Sequence, residues 1–243
     1  MILAAGLGTR LRPITDSRPK ALVEVSGRTL LEITLYRLQQ FGVREVIINV
    51  HHFADMVAEY LKANNNFGLR VELSREDDLL LDTGGGLKKA AWFFLGDSGA
   101  DEPFIVHNVD VMSNIDLGRM LQFHSKHGPL ATVAVQKRDS SRYLLFDRNL
   151  VLCGRRAGSG QEELAGGPPV HALAFTGIHV ISPRLLHLMQ EEGVFSIIDC
   201  YVRLARHGEQ ILGFRADEYY WRDLGRPQDL KKAAEDLSKT AIG

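Results

Sequence analysis

Met1-Ile2-Leu3-Ala4-Ala5-Gly6-Leu7-Gly8-Thr9-Arg10-Leu11-Arg12-Pro13-Ile14-Thr15 opens the chain, and Pro19-Lys20 closes the same stretch. An apolar run bounded by glycine, as in Met1 to Ala5, reads as a buried strand of a parallel sheet. Gly6 and Gly8 are expected to take positive φ and turn backbone amides toward one concavity, the kind of amide nest that holds oxyanions. Arg10, Arg12 and Lys20 bring three cations to the loop, which suits a triphosphate better than a neutral ligand. Two other phosphate loops are excluded by spacing. The dinucleotide fingerprint needs a third glycine where Leu11 stands, and the Gly-Lys-Ser/Thr of a Walker loop is absent from the stretch.

These residues resemble the signature of the sugar-1-phosphate nucleotidylyltransferases, Gly-x-Gly-Thr-Arg-Leu-x-Pro-x-Thr followed by Pro-Lys, at nearly every defining position. Further landmarks extend the resemblance over most of the 243 residues. It implies an α/β fold: a single-domain, Rossmann-like α/β/α sandwich with a mixed, mostly parallel sheet, the nucleotide-diphospho-sugar transferase fold. Residues 1–243 are then one nucleotidyltransferase catalytic domain. The hexapeptide repeats of the C-terminal β-helix that some relatives carry are missing.

Composition agrees with such an enzyme. Apolar residues make up 45 % and charged residues 24 %, ordinary globular values. A net charge of −1 argues against bulk nucleic-acid binding or electrostatic membrane attachment. Cys153 and Cys200 lack metal-ligand spacing and read as reduced, buried thiols. No run of 18 apolar residues and no charged-then-apolar leader is present, so a soluble, cytoplasmic protein is expected. The chain starts directly on its first strand, which leaves room for a residue or two upstream. The sequence leaves open whether the protein is a monomer or a homo-oligomer.

The chain continues in the rhythm of a parallel α/β sheet with right-handed crossovers. Thr29 with Glu32 resembles a capping box ahead of a helix to about Phe41. Glu45 to Val50 reads as a strand, Asp55 to Lys62 as a helix and Leu69 to Leu73 as a strand. Phe104 to Val106 is a buried strand and Ile115 to His127 an amphipathic helix. Leu130 to Gln136 is a strand, and Tyr143 to Leu152 a hairpin around Asp147-Arg148-Asn149. Gly154 to Pro169, rich in glycine and charge, reads as a loop or lid. Val170 to Ile181 is a strand broken by Gly177. Helices from Ser182 and Ser196, a strand Ile211 to Phe214 and a helix Pro227 to Lys239 complete the order.

Candidate site residues follow from these positions and from the family pattern. Asp110 lies past the carboxyl end of the Phe104 strand, where ligands of open α/β sheets sit; the resemblance makes it a catalytic residue and the first metal-binding aspartate. Val109 replaces the small residue usual before it, and Asp116 competes for the role. Asp223, in Trp221-Arg222-Asp223-Leu224-Gly225-Arg226-Pro227, matches the second metal aspartate. Arg10 and Lys20 are the other catalytic candidates. The nucleotide-binding candidates are Leu3, Ala5, Gly6, Gly8, Thr9 and Asn108, with Thr83, Gly84 and Gly85 of the Thr-Gly-Gly-Gly loop on the nucleobase side. Gly177 is the sugar-binding candidate, with a strand bulge as its alternative; His107 reads as a packed strand-end histidine.

The implied partners are a nucleoside triphosphate and a sugar 1-phosphate, with Mg²⁺ as cofactor. The sugar-phosphate oxygen attacks the α-phosphorus and pyrophosphate leaves. A phosphate monoester with a second pKa of about 6 needs no general base. Within the family the look is nearest to the N-acetylmuramate-1-phosphate uridylyltransferases of cell-wall recycling. Mannose- or heptose-1-phosphate guanylyltransferases are the near alternative and choline-phosphate cytidylyltransferases a remote one. A silent nucleotide-binding regulatory subunit usually lacks a metal carboxylate, and both are present here. An NAD-dependent oxidoreductase lacks support without the third glycine.

Overall fold

The computed structural model describes residues 1–96, 102–157, 160–163 and 171–239. In chain order the elements are β1 Ile2–Leu3, β2 Glu24–Val25, β3 Arg28–Thr29, α1 Leu30–Gln40, β4 Glu45–Val50, α2 Ala54–Ala63, β5 Arg70–Arg75, α3 Asp82–Lys89, β6 Phe104–Asn108, β7 Val111–Ser113 and α4 Leu117–His127. There follow β8 Ala131–Gln136, β9 Arg142–Phe146, β10 Leu152–Ala157, β11 Gly160–Glu163, β12 His171–Ile181, α5 Arg184–Leu188, α6 Ile197–Arg206, β13 Ile211–Arg215, β14 Trp221–Asp223 and α7 Pro227–Lys239. The chain divides into two compact units, Met1–Asp82 with His107–Ile115 and Tyr220–Gly243, and Thr83–Val106 with Asp116–Tyr219.

In the first unit β1, β4, β5 and the end of β6 pair in parallel. β1 lies between β4, with Ile2 opposite Ile48, and the end of β6, with Ile2 opposite His107; β5 continues beyond β4. Val46, Ile47, Ile48 and Val50 are all buried, the continuous apolar strand that a sheet covered on both faces requires. The expected cap is present: Glu32 N donates to Thr29 Oγ1 at 3.0 Å at the head of α1. The opening strand is shorter than Met1 to Ala5 because Ala4 N leaves the ladder for the Asn49 side chain at 2.7 Å.

The second unit is mixed. β8, fully buried, pairs antiparallel with β12 and parallel with β13. β12 continues onto β9, and β9, β10 and β11 run as an antiparallel meander. The expected hairpin turn holds: Asp147 Oδ1 accepts from Asn149 N and Val151 N, both at 2.8 Å. The expected loop from Gly154 is corrected in part. Residues 154–157 and 160–163 are strand, while 158–159 and 164–170 lie outside the described residues. Glycine and charge mask a polar strand at a sheet margin; Arg156 stacks over the Tyr143 ring at 4.8 Å and Arg155 pairs with Asp199. Asp116 caps α4, accepting from Arg119 N at 2.9 Å, which explains that acid without a ligand.

His107 is buried and donates through Nδ1 to Asn108 O at 2.8 Å. Burial pushes its pKa down to about 4. The unfolded chain takes up this proton near pH 6.5 and the folded chain only near 4, so acid favours unfolding across that window. Wild-type stability should therefore fall by up to about 3 kcal/mol more than that of His107→Gln between pH 7 and pH 4. Denaturant melts of the two proteins across this range check it; parallel curves would contradict it.

Candidate active site

The turn after β1 is shaped by Gly8. Its φ is +65°, and a Cβ there would stand 2.9 Å from Thr15 Cγ2 and 3.2 Å from Lys20 Cβ. Its carbonyl accepts from Leu11 N at 2.8 Å and Thr15 Oγ1 at 2.9 Å. Positive φ is thus required at Gly8 but not at Gly6, which corrects the expectation for the pair. Gly6 is exposed, and a Cβ on it would meet nothing within 4 Å. Thr9 and Arg10 lie in the same turn, Arg10 exposed, whereas Arg12 pairs with Asp16 at 3.2 Å. The loop cations facing this turn are therefore Arg10 and Lys20.

The two acids arrive from different parts of the sequence on one short ribbon. Asn108 lies opposite Leu3, and Val109 N donates to Leu3 O at 3.0 Å, so Asp110 stands just past the carboxyl ends of both strands. β7 and β14 then pair antiparallel with Asp223 opposite Val111, and Leu224 N donates to Asp110 O at 2.7 Å. Lys20 Nζ bonds Asp110 Oδ2, with both side chains mostly buried. Arg10 Nη2 lies 4.0 Å from Asp223 Oδ1, which also accepts from Gly225 N at 2.6 Å. Arg222 and Tyr220 anchor the ribbon to α7 through Asp236 Oδ2, at 2.8 and 2.6 Å. Partial burial and that carboxylate push the Tyr220 hydroxyl up to about 12.

Leu3, Ala5, Gly6, Gly8, Thr9, Arg10, Lys20, Asn108, Asp110 and Asp223 thus belong to one unit. Two cations, two carboxylates and an exposed glycine turn are thus gathered within that unit. Among the described residues there is no group of three or more His, Cys, Asp or Glu that could hold a metal ion. Asp110 and Asp223 supply hard oxygen donors in the number that suits Mg²⁺, which typically takes one or two carboxylates and completes its shell with substrate phosphates and water.

Thr83, Gly84, Gly85 and Gly177 belong to the second unit. Gly84 N and Gly85 N donate to Phe195 O at 3.0 and 3.3 Å, and Thr83 Oγ1 accepts from Ile197 N at 3.0 Å. A Cβ on Gly84 would collide with the Phe195 ring, so the protein's own packing already requires glycine there. Gly177 has φ +81° within the register shift between Phe175 and His179. Two residues escape a reading of the sequence. Asn49 is a polar residue in an apolar strand, a visible signal; Glu76 has no signal beyond following β5.

A parallel α/β unit with a glycine turn and acids at its strand ends is the arrangement in which nucleotide-handling α/β enzymes place their ligands. Similarity to known proteins gives the family. The profile for nucleotidyl transferases matches residues 1–240. An N-acetylmuramate α-1-phosphate uridylyltransferase of Caulobacter vibrioides is 34 % identical over 240 residues, covering 97 % of this chain and 94 % of that protein. The mannose-1-phosphate guanylyltransferase catalytic subunit beta of Xenopus tropicalis is 30 % identical, covering 94 % of this chain and 61 % of its own length. A UTP–glucose-1-phosphate uridylyltransferase of Synechocystis is 26 % identical, covering 100 % of this chain and 64 % of its own length. The chain therefore spans less than two thirds of these last two relatives.

Among solved structures, a UDP-glucose pyrophosphorylase of Acinetobacter baumanii has a TM-score of 0.78 at 18 % identity, covering 97 % of this chain and 91 % of that one. An inositol-1-phosphate CTP transferase of T. maritima has a TM-score of 0.76 at 19 % identity, covering 98 % and 94 %. They share the fold, the nucleotide-diphospho-sugar transferase fold expected from the sequence. The chain belongs to the nucleotidyl transferase family, the sugar-1-phosphate nucleotidyltransferases.

Gly225 tests the site's geometry. A Cβ there would lie 2.5 Å from Arg10 Nη2 and 2.6 Å from Asp223 Oδ1, and both are side-chain ends that can move. Gly225→Ala should keep its melting temperature within a few degrees of wild type while kcat/KM falls about ten-fold or more. Steady-state kinetics beside a thermal melt decide; full activity would show that the Arg10 and Asp223 positions do not matter.

Proposed function

We propose that the chain, as one catalytic domain, transfers a uridylyl group from UTP to a sugar 1-phosphate of the N-acetylmuramate class, releasing pyrophosphate with Mg²⁺ as cofactor. What carries the reading is the meeting of the Gly6–Thr9 turn, the Lys20–Asp110 pair and the Arg10–Asp223 pair in one unit. The uridylyltransferase relative, matched over nearly its whole length, supports the choice of base and sugar.

The reaction brings two anions together, so neutralisation and alignment carry most of the catalysis. The exposed turn amides and Arg10 hold the β and γ phosphates and take up charge on the departing pyrophosphate. Lys20 neutralises the α-phosphate and the incoming sugar phosphate from its place at Asp110. Asp110 and Asp223 would hold the divalent cation, which when bound supplies Lewis-acid stabilisation of the phosphate charge. The sugar phosphate attacks as an oxyanion, so no side chain need remove a proton.

Leu3, Ala5 and Asn108 line the nucleotide side at the strand ends in this reading. Thr83, Gly84 and Gly85 remain nucleotide-binding candidates, and Gly177 the sugar-binding candidate. Cell-wall recycling in the cytoplasm is the corresponding role. Guanylyl transfer to mannose 1-phosphate is the second reading, favoured by the 30 % identical relative.

Pyrophosphate release should be fastest with UTP and N-acetylmuramate 1-phosphate in a panel including GTP with mannose 1-phosphate. A reversed preference selects the second reading, and no release with any pair removes both. Asp110→Ala and Asp223→Ala should each fold and lose about a thousand-fold in turnover, as should wild type stripped with a chelator until Mg²⁺ is restored. Near-normal turnover of either variant would take that residue out of the mechanism.

A further inference from the structure

Behind the glycine turn lies a buried chain of hydrogen bonds that no step of the mechanism uses. Ala4 N donates to Asn49 Oδ1 at 2.7 Å, and Asn49 Nδ2 donates to Glu76 Oε1 at 2.7 Å. Glu76 Oε2 accepts from Leu81 N at 2.8 Å. Glu76 is 1 % exposed and Asn49 3 % exposed. The Glu76 backbone is fixed as well: its N donates to Val50 O at 2.8 Å, and its carbonyl accepts from His51 Nδ1 at 2.5 Å.

The polarity of this chain is set at its ends. Backbone N–H groups at Ala4 and Leu81 can only donate. Asn49 must therefore turn its carbonyl to Ala4 and its amide to Glu76, which leaves residue 76 accepting at both of its oxygens. Only a carboxylate does that; a glutamine would set an N–H against another N–H. The two tethered amides are well placed. Ala4 is where the chain leaves β1 for the Gly6–Thr9 turn, and Leu81 stands two residues before Thr83.

We propose that Asn49 and Glu76 are positioning residues that fix, through one buried carboxylate, the register of the phosphate turn and of the segment leading into the Thr83–Gly85 loop. This rests on the proposed nucleotidyl transfer. Neither side chain touches substrate, so the effect reaches the nucleotide through the backbone.

Reversing the polarity tests it. Glu76→Gln faces amide against amide and Asn49→Asp faces carboxylate against carboxylate. In the double variant the new carboxylate at position 49 accepts from Ala4 N and from the new side-chain amide at position 76. The carbonyl oxygen of that amide accepts from Leu81 N, so every bond is restored. The probe is whichever of UTP, GTP, CTP, dTTP and ATP binds wild type most tightly with Mg²⁺ by calorimetry.

Each single variant should weaken that binding about ten-fold, and the double variant should return to within about three-fold of wild type. The KM for nucleotide should follow the same pattern while the KM for sugar phosphate stays level. Singles that bind like wild type, or a double no better than the singles, would overturn the proposal. Should the singles not fold, the double alone decides: wild-type binding supports it and weakened binding overturns it. Absence of binding to any triphosphate by wild type itself would instead sink the functional reading, and the proposal with it.

Discussion

A triphosphate and a sugar phosphate repel one another, and in the proposed function the site answers that repulsion. Its central device is the short β7–β14 ribbon. Pairing Asp223 against Val111 sets an acid from late in the chain beside Asp110, and the bond from Leu224 N to Asp110 O locks them there. Each acid then faces a cation of the opening stretch, Lys20 at Asp110 and Arg10 at Asp223. Carboxylates held near a phosphate turn would oppose binding if left alone; here they are interleaved with cations, and in the proposed function they share a divalent ion.

The glycines divide by the reason each lacks a side chain. Gly8 needs positive φ and leaves room for Thr15 and Lys20; Gly84 yields to Phe195, and Gly225 to Arg10 and Asp223. Within the opening turn Gly6 alone has open space where a Cβ would be, and in the proposed function that is where the phosphates come close to the backbone. In the proposed function a glycine-rich motif is thus partly a binding surface and partly the packing that holds the surface in shape. The Asn49–Glu76 chain extends the same division of labour beneath the turn.

Much of this is legible in the residues. Glu45 to Val50 is a strand at the expected bounds because five of its six residues are buried, and Thr29 caps α1 by the bond its capping box implies. Asp110 at a strand end follows from the apolar run before it. What escapes are features set by distant partners. β7 and β14 are three residues each and acquire strand character only from one another. β10 and β11 carry too much glycine and charge to signal a strand locally. That Gly84 packs against the ring of Phe195 is likewise a fact of tertiary packing. Glu76 is silent for the same reason: a lone acid after a strand says nothing until Asn49 and Leu81 are seen around it.

The proposed mechanism depends above all on Asp110 and Asp223 sharing one cation, and anomalous scattering from Mn²⁺ in crystals grown with a non-hydrolysable UTP analogue measures this directly. The expected result is one manganese peak bonded to oxygens of both carboxylates and of the triphosphate, with the phosphates on the Gly6–Thr9 amides. A peak that contacts neither acid, or a triphosphate bound away from that turn, would contradict it.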